Sequence, residues 1–269
     1  MNKKLRLFAG ATATTLALGS GVGIAIAAGG NEGPLPEVCR HADPGATKID
    51  TAKLIIEYNS TDDDAGVHGA FDDHGWSELC VFDPDGRPIL VVDPRSQLND
   101  LTMAGIFFES REPPGSEFSL ADLAERFPEG RYTVRGKSFD GTVLTGRAKF
   151  THAVPAPPRI TSPEIAEDPE AIDTTAPRDD LEVTWKRVKK TVAGEPVRIT
   201  GYEVIVTKEV DDDPHGFSRP TFDVHVPVTQ TELSVPEEFL ERHTVYELEV
   251  LALEQSGNQT ISVGFFMTG

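Results

Sequence analysis

The chain has 269 residues, with 44 Asp and Glu against 25 Lys and Arg, so its formal net charge is −19. A surface this acidic argues against nucleic acid, whose phosphates select basic proteins, and against anionic membrane surfaces. It suits divalent cations or basic partners, although a solvated acidic surface with no partner is the commoner case.

At the start, Lys3, Lys4 and Arg6 precede an apolar, small-residue run over residues 7–28 that exits through Ala25-Ile26-Ala27. Basic start, apolar middle and small-residue exit together predict a secretory signal peptide over residues 1–28, bacterial in style. The run approaches membrane-spanning length, but its Gly, Ala, Ser and Thr content favours cleavage over a retained anchor. Cleavage removes three basic residues and no acid, leaving an even more acidic protein in the periplasm or medium, with no stable membrane anchor.

Only two cysteines occur, Cys39 and Cys80. An oxidising compartment predicts that they pair, tethering an N-terminal segment over residues 29–47 to the first domain. Closing a loop of this length stabilises by about 4 kcal/mol on the chain-entropy view.

Strand signals fill residues 48–154, the expected first domain. Short β-rich runs occur at Lys53 to Tyr58, Glu78 to Phe82, Ile89 to Val92 and Ile106 to Glu109. The turn Asp83-Pro84-Asp85-Gly86 joins the second and third. Arg131 to Gly136 alternates with period two, turns at Asp140-Gly141 and returns to Phe150. Strands spaced this way predict a sandwich. The helical signal is residues 119–127, where Ser119 caps and Asp122 closes the first turn.

Residues 59–76 read as a polar loop rich in Asp, His and Gly. Asp62 and Asp64 lie two apart, and with Asp72 and Asp73 they are the candidate metal ligands. Calcium is the candidate cofactor, because it takes six to eight oxygens from closely spaced carboxylates and amides. The spacing does not match an EF-hand, and the plainer reading is an acidic turn. His68 with Asp72 offers an alternative, a loop-built metal site for a hydrolase, although no helical His-x-x-x-His spacing supports zinc. Trp76 sits among polar residues, as sugar-stacking rings do, but a core position beside the Glu78 strand is the simpler assignment. Hydrolase and phosphate-loop motifs are missing.

Pro155-Ala156-Pro157-Pro158 marks a linker over residues 155–163. In residues 164–269, Leu181-Glu182-Val183-Thr184-Trp185, Tyr202-Glu203-Val204-Ile205-Val206, Leu233 and Tyr246-Glu247-Leu248-Glu249-Val250-Leu251-Ala252 follow in order. This pattern resembles the fibronectin type III family over roughly residues 158–269. The resemblance implies core roles for Trp185 and Tyr246, the latter bonding back to backbone at a sandwich corner. The acidic insert at residues 211–216 departs from the family pattern. The first half echoes the second, with a helical segment, Tyr132, an alternating strand, a Gly turn and a closing strand. The expected fold class is therefore all-β: two tandem immunoglobulin-like or fibronectin type III-like β-sandwiches after a signal peptide. The expected function is a non-enzymatic exported binding or adhesion module with an unidentified protein or polysaccharide partner. A carbohydrate-binding accessory protein and a metal-dependent hydrolase are the alternatives.

Overall fold

The computed structural model describes residues 34–210 and 219–269. The expected signal peptide and the acidic insert at residues 211–216 lie outside the described residues. Among the described residues no helix is long and apolar enough to cross a membrane.

The first half holds α1 (Glu37–Arg40), β1 (Thr47–Lys48), β2 (Thr51–Asn59), β3 (Asp64–Phe82), β4 (Pro88–Val92), α2 (Ser96–Leu101), β5 (Met103–Glu109), α3 (Leu120–Arg126), β6 (Gly130–Ser138) and β7 (Val143–Phe150). The second half holds β8 (Ile160–Ser162), β9 (Glu182–Trp185), β10 (Ile199–Lys208), β11 (Thr221–Pro227), β12 (Glu232–Ser234), β13 (Val245–Glu254) and β14 (Gln259–Met267).

Strand β3, 19 residues long, organises the first sandwich. Its first part pairs with β2 and β5, and its last part with β4 and β6. Register shifts between Asp72 and Trp76, with Gly75 at φ 152°, bend the strand so that it passes from one layer to the other. Bends of this kind make the corners of sandwiches. Ala65, Val67 and Phe71 from the first part meet Trp76, Leu79 and Val81 from the last in one core, closed by Tyr132, Leu144 and Phe150. Each fully buried large side chain contributes about 1.5–3 kcal/mol.

Residues 64–76 are thus strand and not the polar loop expected from composition. Gly66, Gly69 and Ala70 have poor β propensity, but β3 is hydrogen-bonded on both sides there and its small residues admit neighbours. A Cβ on Gly69 would fall 2.2 Å from the Phe108 ring. Trp76 is fully buried and donates from Nε1 to the Ala104 carbonyl at 3.2 Å, so its ring presents no sugar platform.

The expected disulfide Cys39–Cys80 is formed and fixes α1 to the outside of β3, where Arg135 covers Phe82 and donates to the Cys39 carbonyl. Helix α3 starts at a capping box between Ser119 and Asp122. In the second half, β12-β9-β8 faces β14-β13-β10-β11 across a core built on Trp185, Tyr202 and Tyr246. The Tyr246 hydroxyl accepts from the Glu241 amide at 2.7 Å, and the Tyr132 hydroxyl donates to the Pro128 carbonyl at 3.1 Å. Each half therefore carries a tyrosine corner.

The two sandwiches are not beads on a proline string. β14 pairs in parallel with β2 through Gln259–Glu57, Thr260–Tyr58 and Ile261–Asn59, so one sheet of 11 strands runs through both halves. Asn258, 1% exposed, pins the junction: its Oδ1 accepts from the Ile56 amide and its Nδ2 donates to the Thr151 carbonyl. Pairing these edges also removes two unpaired strand edges that would invite aggregation.

Candidate functional site

Side chains alternate along a strand, so the joined sheet has one face turned to the cores and one turned away. Across the outer face, from β5 to β11, stand Glu109, His68, Glu57, Glu249, Glu203 and Asp223. Their inward neighbours, such as Val67, Ile56, Val250 and Val204, fill the cores. Seven strands at about 4.8 Å spacing make this face about 29 Å wide. Near its middle, Ile205, Leu251 and Ile261 pack together as an apolar floor.

At the β2–β3 end, His68 lies between two glutamates. Its Nε2 is 2.8 Å from Glu112 Oε1 and its Nδ1 is 3.7 Å from Glu57 Oε2. Its ring also meets Phe107 edge-on at 5.8 Å. Burial works against the imidazolium, but the Glu112 hydrogen bond and the charges of Glu57, Glu112 and Glu109 outweigh it and raise the His68 pKa. Burial raises Glu57, opposed by His68 and by a hydrogen bond from Gln259. Asp64, two residues from Gly66 on the same face, is pushed up to about 6 by burial and then by Glu112, Asp62 and Glu57.

Toward β11, His225 Nε2 lies 3.0 Å from Glu203 Oε1. Burial first, then the adjacent Asp223 and Glu249, pushes Glu203 up to about 8. Burial and the charges of Glu247 and Glu57 push Glu249 up to about 8 as well. Glu247 is paired with Arg219 at 3.1 Å. Among the described residues, Glu57, Glu203, Asp223 and Glu249 have no Lys or Arg ion pair.

The structure divides the four acids singled out in the sequence. Asp62 lies in the β2–β3 turn, bonded by the Asn59 amide, and Asp64 opens β3. Asp72 and Asp73 lie near the β3 bend, where Asp73 accepts from the Asp50 and His74 amides. Eight residues of strand separate Asp64 from Asp72 by about 27 Å, too far for a shared ion. His68 and Asp72 lie about 13 Å apart by the same measure, so the loop-built His68–Asp72 site is not formed. Glu57 and Glu112, which do converge on His68, were missed because they lie 11 residues before it and 44 after it. The available signal was the period-two placement of Glu57 in its strand.

No protein-family profile and no curated protein matches the chain. Among solved structures it is similar to the FN1–FN3 domains of chicken CNTN1, at 12% identity and a TM-score of 0.31, covering 84% of this chain and 69% of that one. It is also similar to a tetra-tandem repeat in the extending region of a large adhesion protein, at 11% identity and a TM-score of 0.26, covering 81% and 50%. Strand order, layer packing and the two tyrosine corners make the chain a tandem of immunoglobulin-like, fibronectin type III-like β-sandwiches.

Proposed function

We propose that this chain is a non-enzymatic, exported binding module that takes a cationic protein partner on the outer face of its joined sheet. The observation that carries the reading is the set of carboxylates on that face without a Lys or Arg partner among the described residues, two of them raised to about 8. Burial and mutual repulsion disfavour their charged forms, and an arriving Lys or Arg restores those charges by pairing with them. Half-buried Glu249 and exposed Asp223 and His225 lie beside the apolar floor, a mixture suited to a partner bearing both cationic and apolar side chains. The net charge of −19 draws such a partner from a distance. Export is supported by the basic-apolar leader and by the disulfide, which persists in oxidising compartments.

The test is fluorescence anisotropy with a labelled alternating lysine–leucine peptide at low and high salt. Binding should tighten as pH rises from about 6 to about 9, because Glu203 and Glu249 ionise in that window. The Glu203→Gln, Glu249→Gln double variant should bind about tenfold more weakly, a loss near 1.4 kcal/mol. Equal affinity for variant and wild type, or no binding at low salt, would contradict the proposal.

A further inference from the structure

We propose that Glu57, His68 and Glu112 form a binding site for a divalent transition cation of the Zn2+ type, next to the seam where the two sandwiches join. One His68 ring nitrogen and one oxygen from each glutamate lie within 4.8 Å of one another. Zinc bonds of about 2.0–2.1 Å in a tetrahedral array put donors about 3.3 Å apart; Glu112 now meets Nε2 and Glu57 meets Nδ1, so one carboxylate swings toward the nitrogen that takes the ion. His68 is 6% exposed, and a buried imidazole flanked by carboxylates has its donor atoms already gathered.

Three further observations support the site. A Cβ on Gly66 would fall 2.4 Å from Glu112 Oε1, so this glycine makes the room in which Glu112 reaches the histidine. Asp64, two residues from Gly66 on the same face, has a buried Oδ1 without a hydrogen-bond partner among the described residues, although it is not one of the three gathered donors. Gln259 donates to Glu57 from the other sandwich, the kind of outer hydrogen bond that orients a metal ligand. Imidazole nitrogen selects zinc and its neighbours, whereas calcium prefers an all-oxygen shell of six to eight donors. Glu57 belongs to both this site and the acidic outer face, but Glu112 and His68 do not carry the cationic-partner reading, so their variants test the ion alone.

The experiment is thermal unfolding of untagged protein after chelation, with Zn2+ or Ca2+ added back, together with native mass spectrometry. Zinc at about a hundredfold excess over its Kd should raise Tm by roughly 5–10 °C, with one ion bound, and equimolar Ca2+ should shift it far less. Both Glu112→Gln and His68→Ala should abolish the zinc shift. Glu112 is only half-buried, so Glu112→Gln carries the test even if removing the buried histidine prevents folding. No zinc shift in the wild type, a shift unchanged in Glu112→Gln, or an equal shift with Ca2+ would overturn the site.

Discussion

Glu249 and Glu203 sit on neighbouring strands with their carboxyls held up to about 8. Glu249 faces Glu247, Glu57, Asp223 and Arg219, while Glu203 faces Asp223, Glu249, Glu57 and His225. A carboxyl raised in the folded state binds its proton more tightly than the unfolded chain does. Its stabilising effect is complete below the unfolded pKa near 4.5 and is lost as pH rises through about 8. Tm should therefore fall between about pH 5 and about pH 8.5. Glu249→Gln, which mimics the protonated form, should flatten that fall, as a pH series of melting curves would reveal. A Tm that climbs over the same range would show that these carboxyls ionise freely in the folded protein.

Strand β3 shows how far composition carries and where it stops. The strands at Arg131 to Gly136 and Tyr246 to Val250 were legible because they alternate apolar and polar residues with period two, and Lys53 to Tyr58 because it is rich in Leu, Ile and Tyr. Ser119 and Asp122 announced their helix, and two cysteines left one pairing. Residues 64–76 were opaque because Gly66 and Gly69 are small for the sake of Glu112 and Phe108, contacts that no local pattern encodes. The junction was opaque for a similar reason. Asn258 follows Gly257 at the turn between β13 and β14, and its Oδ1 accepts from the Ile56 amide, 202 residues away. Asn258→Ala would leave that buried amide without its acceptor and cost about 1–3 kcal/mol. Chemical denaturation should show this loss, whereas an unchanged midpoint would mean that the seam contributes little.

In the whole molecule, edge pairing of β2 with β14 makes two sandwiches one body and one continuous outer face. Separate domains usually meet through small, polar interfaces and move independently. Here backbone pairing, Asn258 and the Thr260 hydroxyl bonded to the Pro155 carbonyl at 2.7 Å bind them together. The chain has two tryptophans, and they fall in opposite halves: Trp76 in the first core and Trp185 in the second. Single-tryptophan variants, Trp185→Phe and Trp76→Phe, therefore report one sandwich each. The most direct measurement is denaturant unfolding of each variant by its remaining tryptophan and by far-ultraviolet circular dichroism. A joined body predicts that, within each variant, the two signals trace one coincident transition. Fluorescence midpoints displaced from the circular dichroism curve, in opposite directions in the two variants, would mean that the halves unfold independently and that the joined sheet is not the unit of structure.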